Sequence, residues 1–190
     1  MKKISFKSIF IPTISLFLIC LIVAVALSLT NNITKDKIAE NEAQAKQESM
    51  KTVCPNADTF TPFPDDENFC IAKDKDGNEV GFAVSTVTNG YGGQVKVMTG
   101  IDTKGKIIAV DVYYNDDETP GLGKNTSNKD WQSQFSGKDA KDNLIVSKDY
   151  KGEGQQIDAV TSATISSRAV IKAVNEACNL YEQYVNGGGN

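Results

Sequence analysis

Residues 9–29 form an uncharged, mostly apolar run of 21 residues. As a helix this run spans about 30 Å, the thickness of a bilayer's hydrocarbon core. Pro12 falls near its start, where a first helical turn tolerates proline. Ala24-Val25-Ala26 fits an A-x-A processing site. The apolar run nevertheless continues through Leu27 and Leu29, which predicts a retained transmembrane helix and not a cleaved leader. Residues 30–51 are polar and rich in Ala, Glu, Lys and Gln. They predict a solvated helical stalk, over 30–53, that contributes nothing to a core.

Beyond the stalk the pattern changes. Residues 54–66 hold Pro55, Pro62 and Pro64 and predict a loop. Residues 69–72 and 79–88 predict strands turned at Asp76-Gly77. Residues 94–101 and 106–113 predict a second hairpin. In it Val95, Val97 and Ile101 share one face, as do Ile108, Val110 and Val112. Strand following strand implies an antiparallel meander. Residues 130–135, around Trp131, predict a short helix, and 144–147 a short strand. From about residue 166 to 185, Val170, Ala173, Val174, Ala177, Tyr181, Tyr184 and Val185 form one helical stripe. Cys178 lies in or beside it. The predicted class is α+β: an antiparallel sheet with packed helices, preceded by one N-terminal transmembrane helix.

Composition narrows the chemistry. A net charge of −4 argues against a nucleic-acid partner. The chain has no histidine, so the commonest metal ligand and general base are missing. Its four cysteines, Cys20, Cys54, Cys70 and Cys178, fit no zinc or iron–sulfur spacing. Cys54 and Cys70 bracket the proline-rich loop and read either as a disulfide or as two free thiols. No G-x-G-x-x-G is present, so dinucleotide binding is not expected. Lys2, Lys3 and Lys7 precede the apolar run, while Lys35 and Lys37 follow it. This margin puts residues 1–8 in the cytoplasm and residues 54–190 outside.

The most informative stretch is 158–167, D-A-V-T-S-A-T-I-S-S, in which half the residues carry hydroxyls. It leads straight into the last helix. A helix N-terminus offers unpaired N–H groups and the positive end of the helix dipole to an anion such as phosphate. A threonine hydroxyl is a poor nucleophile without a base. Thr164 therefore reads as an acceptor for a modification installed by another enzyme.

D-A-V-T-S-A-T at 158–164 resembles the flavinylation motif of FMN-binding domains that carry FMN on a threonine. E-T-P-G-L-G at 118–123 and G-Y-G-G at 90–93 look like further signatures of that family. With the N-terminal anchor, the set is most similar to the G subunits of Rnf-type, ion-translocating ferredoxin:NAD oxidoreductase complexes. The C subunits of sodium-translocating NADH:quinone oxidoreductases are cousins. The resemblance covers roughly residues 86–184 and the anchor. It implies covalent FMN joined through its phosphate to Thr164, with Asp158, Thr161 and Ala163 at fixed points of the motif. Ser162 stands where the family usually has glycine, and a positive φ there would strain it. Glu118, Thr119, Gly121, Leu122 and Gly123 match the loop expected beside the flavin. Lys124 would either place a positive charge near the ring or be solvated. The implied role is an electron-transfer subunit of a translocase in the inner (plasma) membrane, not catalytic alone. Its implied partners are the membrane, the other subunits of the redox complex and a maturing flavin transferase. A free-standing extracytoplasmic electron shuttle or redox sensor is the alternative.

Overall fold

The computed structural model describes residues 6–64 and 66–187. Lys2 and Lys3, used above for orientation, lie outside them. The chain divides into two compact units, residues 1–43 and 44–190.

The first unit is most of helix α1, Phe6–Val53, which runs unbroken through the predicted span and stalk. Its apolar side chains are exposed from Ile9 through Leu29. Such a surface suits lipid, and α1 is long and apolar enough to cross a membrane. Pro12 lies inside this helix.

In the second unit, β1 (Thr59–Phe63), β2 (Asp66–Lys73), β3 (Glu79–Asn89), β4 (Gln94–Ile101) and β5 (Ile107–Tyr114) form one antiparallel sheet in chain order. β1 falls in the segment expected to be loop. Pro62 pairs opposite Cys70, but β1 is an edge strand, where a missing N–H is tolerated. After β5 come a 3-10 turn at Gly123–Ser127, the short helix α2 (Lys129–Gln132) and a second 3-10 turn at Ser133–Phe135. Then β6 (Leu144–Val146) pairs in parallel with β7 (Gln155–Ile157), and α3 covers Thr164–Asn186.

Both faces of the sheet are covered. On one, Phe82, Val84, Val95, Val97 and Val110 pack against Val170, Ala173, Val174, Ala177 and Tyr181 of α3. On the other, Cys70, Ala72, Ala83 and Met98 pack with Val53 and Cys54 at the end of α1. The last α1 turn is thus a core element, contrary to the solvated stalk: Ser49 and Val53 are buried and Met50 is partly so. Cys54 and Cys70 are free thiols in that smaller core. Burial pushes Cys54 and Cys178 up to about 12 and raises Cys70 as well.

Two faces differ from the alternation read in the sequence. Gly100 pairs with Ala109 but Ile101 pairs with Ile107, so Ile108 is the extra residue of a bulge. Ile107 joins Val110 and Val112 in the main core, and Ile108 packs on the other side. Val185 is 49% exposed, although Tyr184 beside it still packs on Phe63, Phe69 and Phe82 of the sheet.

Two hydrogen bonds fix α3 along its axis. The hydroxyls of Thr86 and Thr88 on β3 donate to the carbonyls of Ala173 and Ala169 at 3.0 and 2.9 Å. Because β3 sets the height of α3, it also sets where the helix begins.

Candidate functional site

Three connections meet where α3 begins. The first is Gly90-Tyr91-Gly92-Gly93, the β3–β4 turn, closed by the Gly90 N–H on the Gly93 carbonyl at 2.7 Å. The second is the loop after β5. It folds back on itself through N–H donations from Leu122 and Lys124 to the Thr119 carbonyl, at 3.1 and 3.2 Å. Asn115 closes it from inside, donating to the Lys124 carbonyl and the Thr126 hydroxyl. The third is the 158–163 turn.

That third turn is held at both ends. Its start is fixed by the Asp158 carbonyl, which accepts from the Trp131 indole at 2.7 Å, and by the Asp158 N–H, which donates to Gln134 at 2.9 Å. Its end is fixed by Ser167, whose hydroxyl accepts from the Val160 N–H and donates to the Ala163 carbonyl, both at 3.0 Å. Ser162 has φ 61°, the one non-glycine residue with positive φ among the described residues. Serine therefore does stand at a left-handed position, where glycine would be unstrained.

Thr164 is the first residue of α3 and is half-buried. The residue before it, Ala163, supplies no side-chain cap. The hydroxyl of Thr161 therefore does not cap the helix. The N–H groups of Thr164, Ile165 and Ser166 precede the first intrahelical donor, Ser167, and none of them has an acceptor among the described residues. Beside them lies a cleft of about 410 Å³ lined by Tyr91, Glu118, Thr119, Leu122, Gly123 and the segment Ser162 to Ser166. Such a volume lies within the range of cofactor sites. Tyr91, Leu122 and Ile165 stay 70%, 41% and 53% exposed around it, an apolar rim for a flat aromatic ring. A neighbouring depression, lined by Gly121, Leu122, Trp131, Thr161 and Ser162 among others, shares Leu122 and Ser162 with the cleft.

Most residues picked from the sequence converge here. Glu118, Thr119, Leu122, Gly123, Ser162, Ala163 and Thr164 line the cleft, and Gly121 and Thr161 line the depression beside it. Asp158 lines neither; its carboxylate accepts from the Ser147 hydroxyl at 2.6 Å. Lys124 is also absent from the cleft, because its ammonium pairs with Asp116 at 3.1 Å. Ile165 and Ser166 line the cleft although they fall just past the end of the D-A-V-T-S-A-T motif. Glu118 turns out to be 2% exposed, not a loop-surface carboxylate.

The donor set suits a flavin mononucleotide: uncapped amides for a phosphate, a hydroxyl among them, and an apolar rim for the ring. Residues 90–179, which hold all three connections, match the FMN-binding domain family. The fold agrees. The C subunit of the Na(+)-translocating NADH-quinone reductase from Parabacteroides distasonis superposes with a TM-score of 0.53 at 20% identity, over 64% of this chain and 63% of that one. Shewanella oneidensis NqrC superposes at 0.52, also at 20% identity, over 71% and 72%. This is a flavin-binding domain of the FMN-binding type.

Residues 1–53 match the RnfG N-terminal region family. The chain is 35% identical to the G subunit of the Na(+)-translocating ferredoxin:NAD(+) oxidoreductase complex of Acetobacterium woodii, over 95% of each chain. It is 32% identical to the G subunit of the proton-translocating complex of Clostridium ljungdahlii, over 95% and 96%. It belongs to the family of G subunits of ion-translocating ferredoxin:NAD(+) oxidoreductase complexes.

Proposed function

We propose that this chain is the membrane-anchored electron-transfer subunit of an ion-translocating ferredoxin:NAD oxidoreductase complex, and that it carries FMN joined covalently to Thr164. The observation that carries the linkage is the position of Thr164. It is the one threonine that both opens α3 and lines the cleft beside three uncapped amides. A phosphodiester there keeps one negative charge, and the helix terminus stabilises it by roughly 0.3–1 kcal/mol. The flavin supplies the electron-transfer chemistry when bound, and the chain supplies attachment, orientation and shelter. Leu122, Tyr91 and Ile165 would shelter the bound ring, and the amides of the first α3 turn would hold its phosphate. Covalent attachment also prevents loss of the cofactor when its free concentration is low.

The partners on this reading are the other membrane subunits of the complex and a flavin transferase that loads Thr164. The soluble unit lies outside the cytoplasm, as the excess of lysines before the apolar span favours. A reporter active only in the cytoplasm, fused after Asn190, should then stay silent.

The linkage is tested by Thr164→Val, which keeps the side-chain shape and removes the hydroxyl. In a host with the transferase, peptide mass spectrometry should map the FMN adduct to Thr164 and find none in the variant. Thr161→Val should retain it. An adduct on another residue, or one that survives Thr164→Val, would sink the assignment.

A further inference from the structure

Glu118, in the loop after β5, touches both the β3–β4 turn and the first turn of α3. Each of its carboxylate oxygens accepts one hydrogen bond, one from the turn and one from the helix. The Tyr91 N–H of the β3–β4 turn donates to Oε1 at 2.7 Å. The Ser166 hydroxyl of α3 donates to Oε2 at 2.8 Å. The glycines on either side leave room for the carboxylate. A Cβ at Gly90 would overlap Oε1, and a Cβ at Gly123 would overlap Oε2 and crowd the Ser166 hydroxyl. Gly92 is similarly pressed against the Asp117 carbonyl. Among the described residues no lysine or arginine pairs with Glu118; the nearest in sequence, Lys124, is taken by Asp116. A buried carboxylate with two neutral donors and no cation is expensive to keep, unless the donors it holds matter.

We propose that Glu118 is the positioning residue of this site: its carboxylate latches the β3–β4 turn to the first turn of α3 and so holds Thr164 and its amides open to the cofactor. It acts through Tyr91 and Ser166 and not by binding the flavin. The proposal deepens the reading of Thr164 as the attachment point and shares its premise only for the attachment step. Tyr91 shows the effect most directly. Its side chain is 70% exposed, yet its N–H is tied to a buried oxygen. Without the latch the turn would have only its own Gly90–Gly93 bond.

Two arms separate the latch from the cofactor. In protein made without the transferase, hydrogen exchange at the Tyr91 amide should be slow in the unaltered chain. In Glu118→Ala it should speed up about tenfold or more, the effect of losing one hydrogen bond to a charged acceptor. Glu118→Gln, whose amide oxygen still accepts from Tyr91, should restore protection. In protein made with the transferase, Glu118→Ala should slow FMN attachment by a similar factor and Glu118→Gln should recover most of it. If Tyr91 exchanges equally in all three proteins, or if attachment is as fast in Glu118→Ala as in the unaltered chain, the latch is wrong. If the unaltered chain takes up no FMN, the attachment reading fails, while the exchange arm still decides the latch. Should Glu118→Ala not fold, Ser166→Ala breaks one side of the latch and must itself slow attachment for the proposal to stand.

Discussion

The indole N–H of Trp131 lies 2.7 Å from the carbonyl oxygen of Asp158 and donates to it. The tryptophan on the short helix therefore fixes the first residue of the hydroxyl-rich turn. Its ring is held in turn by Phe135, edge-on at 5.4 Å. Trp131→Phe keeps an aromatic ring and removes the donor. It should lower stability by about 1 kcal/mol, the net value of one such bond. Urea unfolding checks this through a lower midpoint at unchanged slope. An unchanged midpoint would mean that Gln134 and Ser147 suffice to hold Asp158.

Ser162 is a second test of that turn. Its φ of 61° costs a non-glycine residue about 1–2 kcal/mol. Glycine avoids that cost but gives up about 0.5–1 kcal/mol through its freer unfolded chain. Ser162→Gly should thus be neutral or stabilising by up to about 1.5 kcal/mol, and Ser162→Val clearly destabilising. Thermal unfolding of the two variants should bracket the unaltered protein.

Gly121 and Gly123 lie two residues apart and should respond oppositely. Gly121 has φ +77° with open space where a Cβ would go, so only the backbone objects. Gly121→Asn should cost little, since asparagine tolerates that conformation. At Gly123 a Cβ would strike the Glu118 carboxylate and the Ser166 hydroxyl. Gly123→Ala should cost about 1–3 kcal/mol and impair attachment at Thr164. Comparing stability and flavin content of the pair measures this. Equal losses would mean that the loop is simply a turn.

Acid sensitivity follows from the Asp149–Arg168 ion pair. Arg168 donates to both oxygens of Asp149, each at 2.8 Å, and this holds the Asp149 carboxyl below its usual range. A carboxyl depressed by folding stabilises the native state at pH values above its unfolded pKa of about 4. That contribution is lost as pH falls through the lower native value. Asp149→Asn should therefore reduce stability by a constant amount from pH 5 to 8, with the difference closing below about pH 4. Both side chains are about half exposed, so high salt should shrink the effect. Denaturation curves across pH and salt decide it.

Much of the fold was legible because it rests on period. The apolar span, strands β2 to β5 and the inner stripe of α3 all follow from spacing. What failed has local causes. Ile108 sits on the opposite face because a bulge advances the register by one residue, which leaves no mark in alternating apolar residues. β1 was hidden by Pro62, tolerated only because the strand is an edge. β7 reads Gln155-Gln156-Ile157, too short and polar to announce a strand. The site was legible through its motifs and its left-handed serine. The burial of Glu118 was not, because a glutamate among polar residues looks solvated until its donors converge from other parts of the chain. The role of Ser166 stays hidden for the same reason, since its hydroxyl meets Glu118 from 48 residues away.

The docking of α1 against β4 bears on how this domain is to be isolated. Gly100 has no side chain because the Val53 carbonyl and Cβ occupy that space. A soluble fragment cut at the proline-rich loop, where composition marks an obvious boundary, would strip Val53 from the sheet. It would lay Met98, Ala83 and Ala72 open to water, an apolar patch apt to aggregate. A fragment beginning at Gln44 keeps that lid and discards the lipid-facing turns. The last residues of the tether are thus part of what they tether, and the two cannot be separated at the point where the sequence changes character.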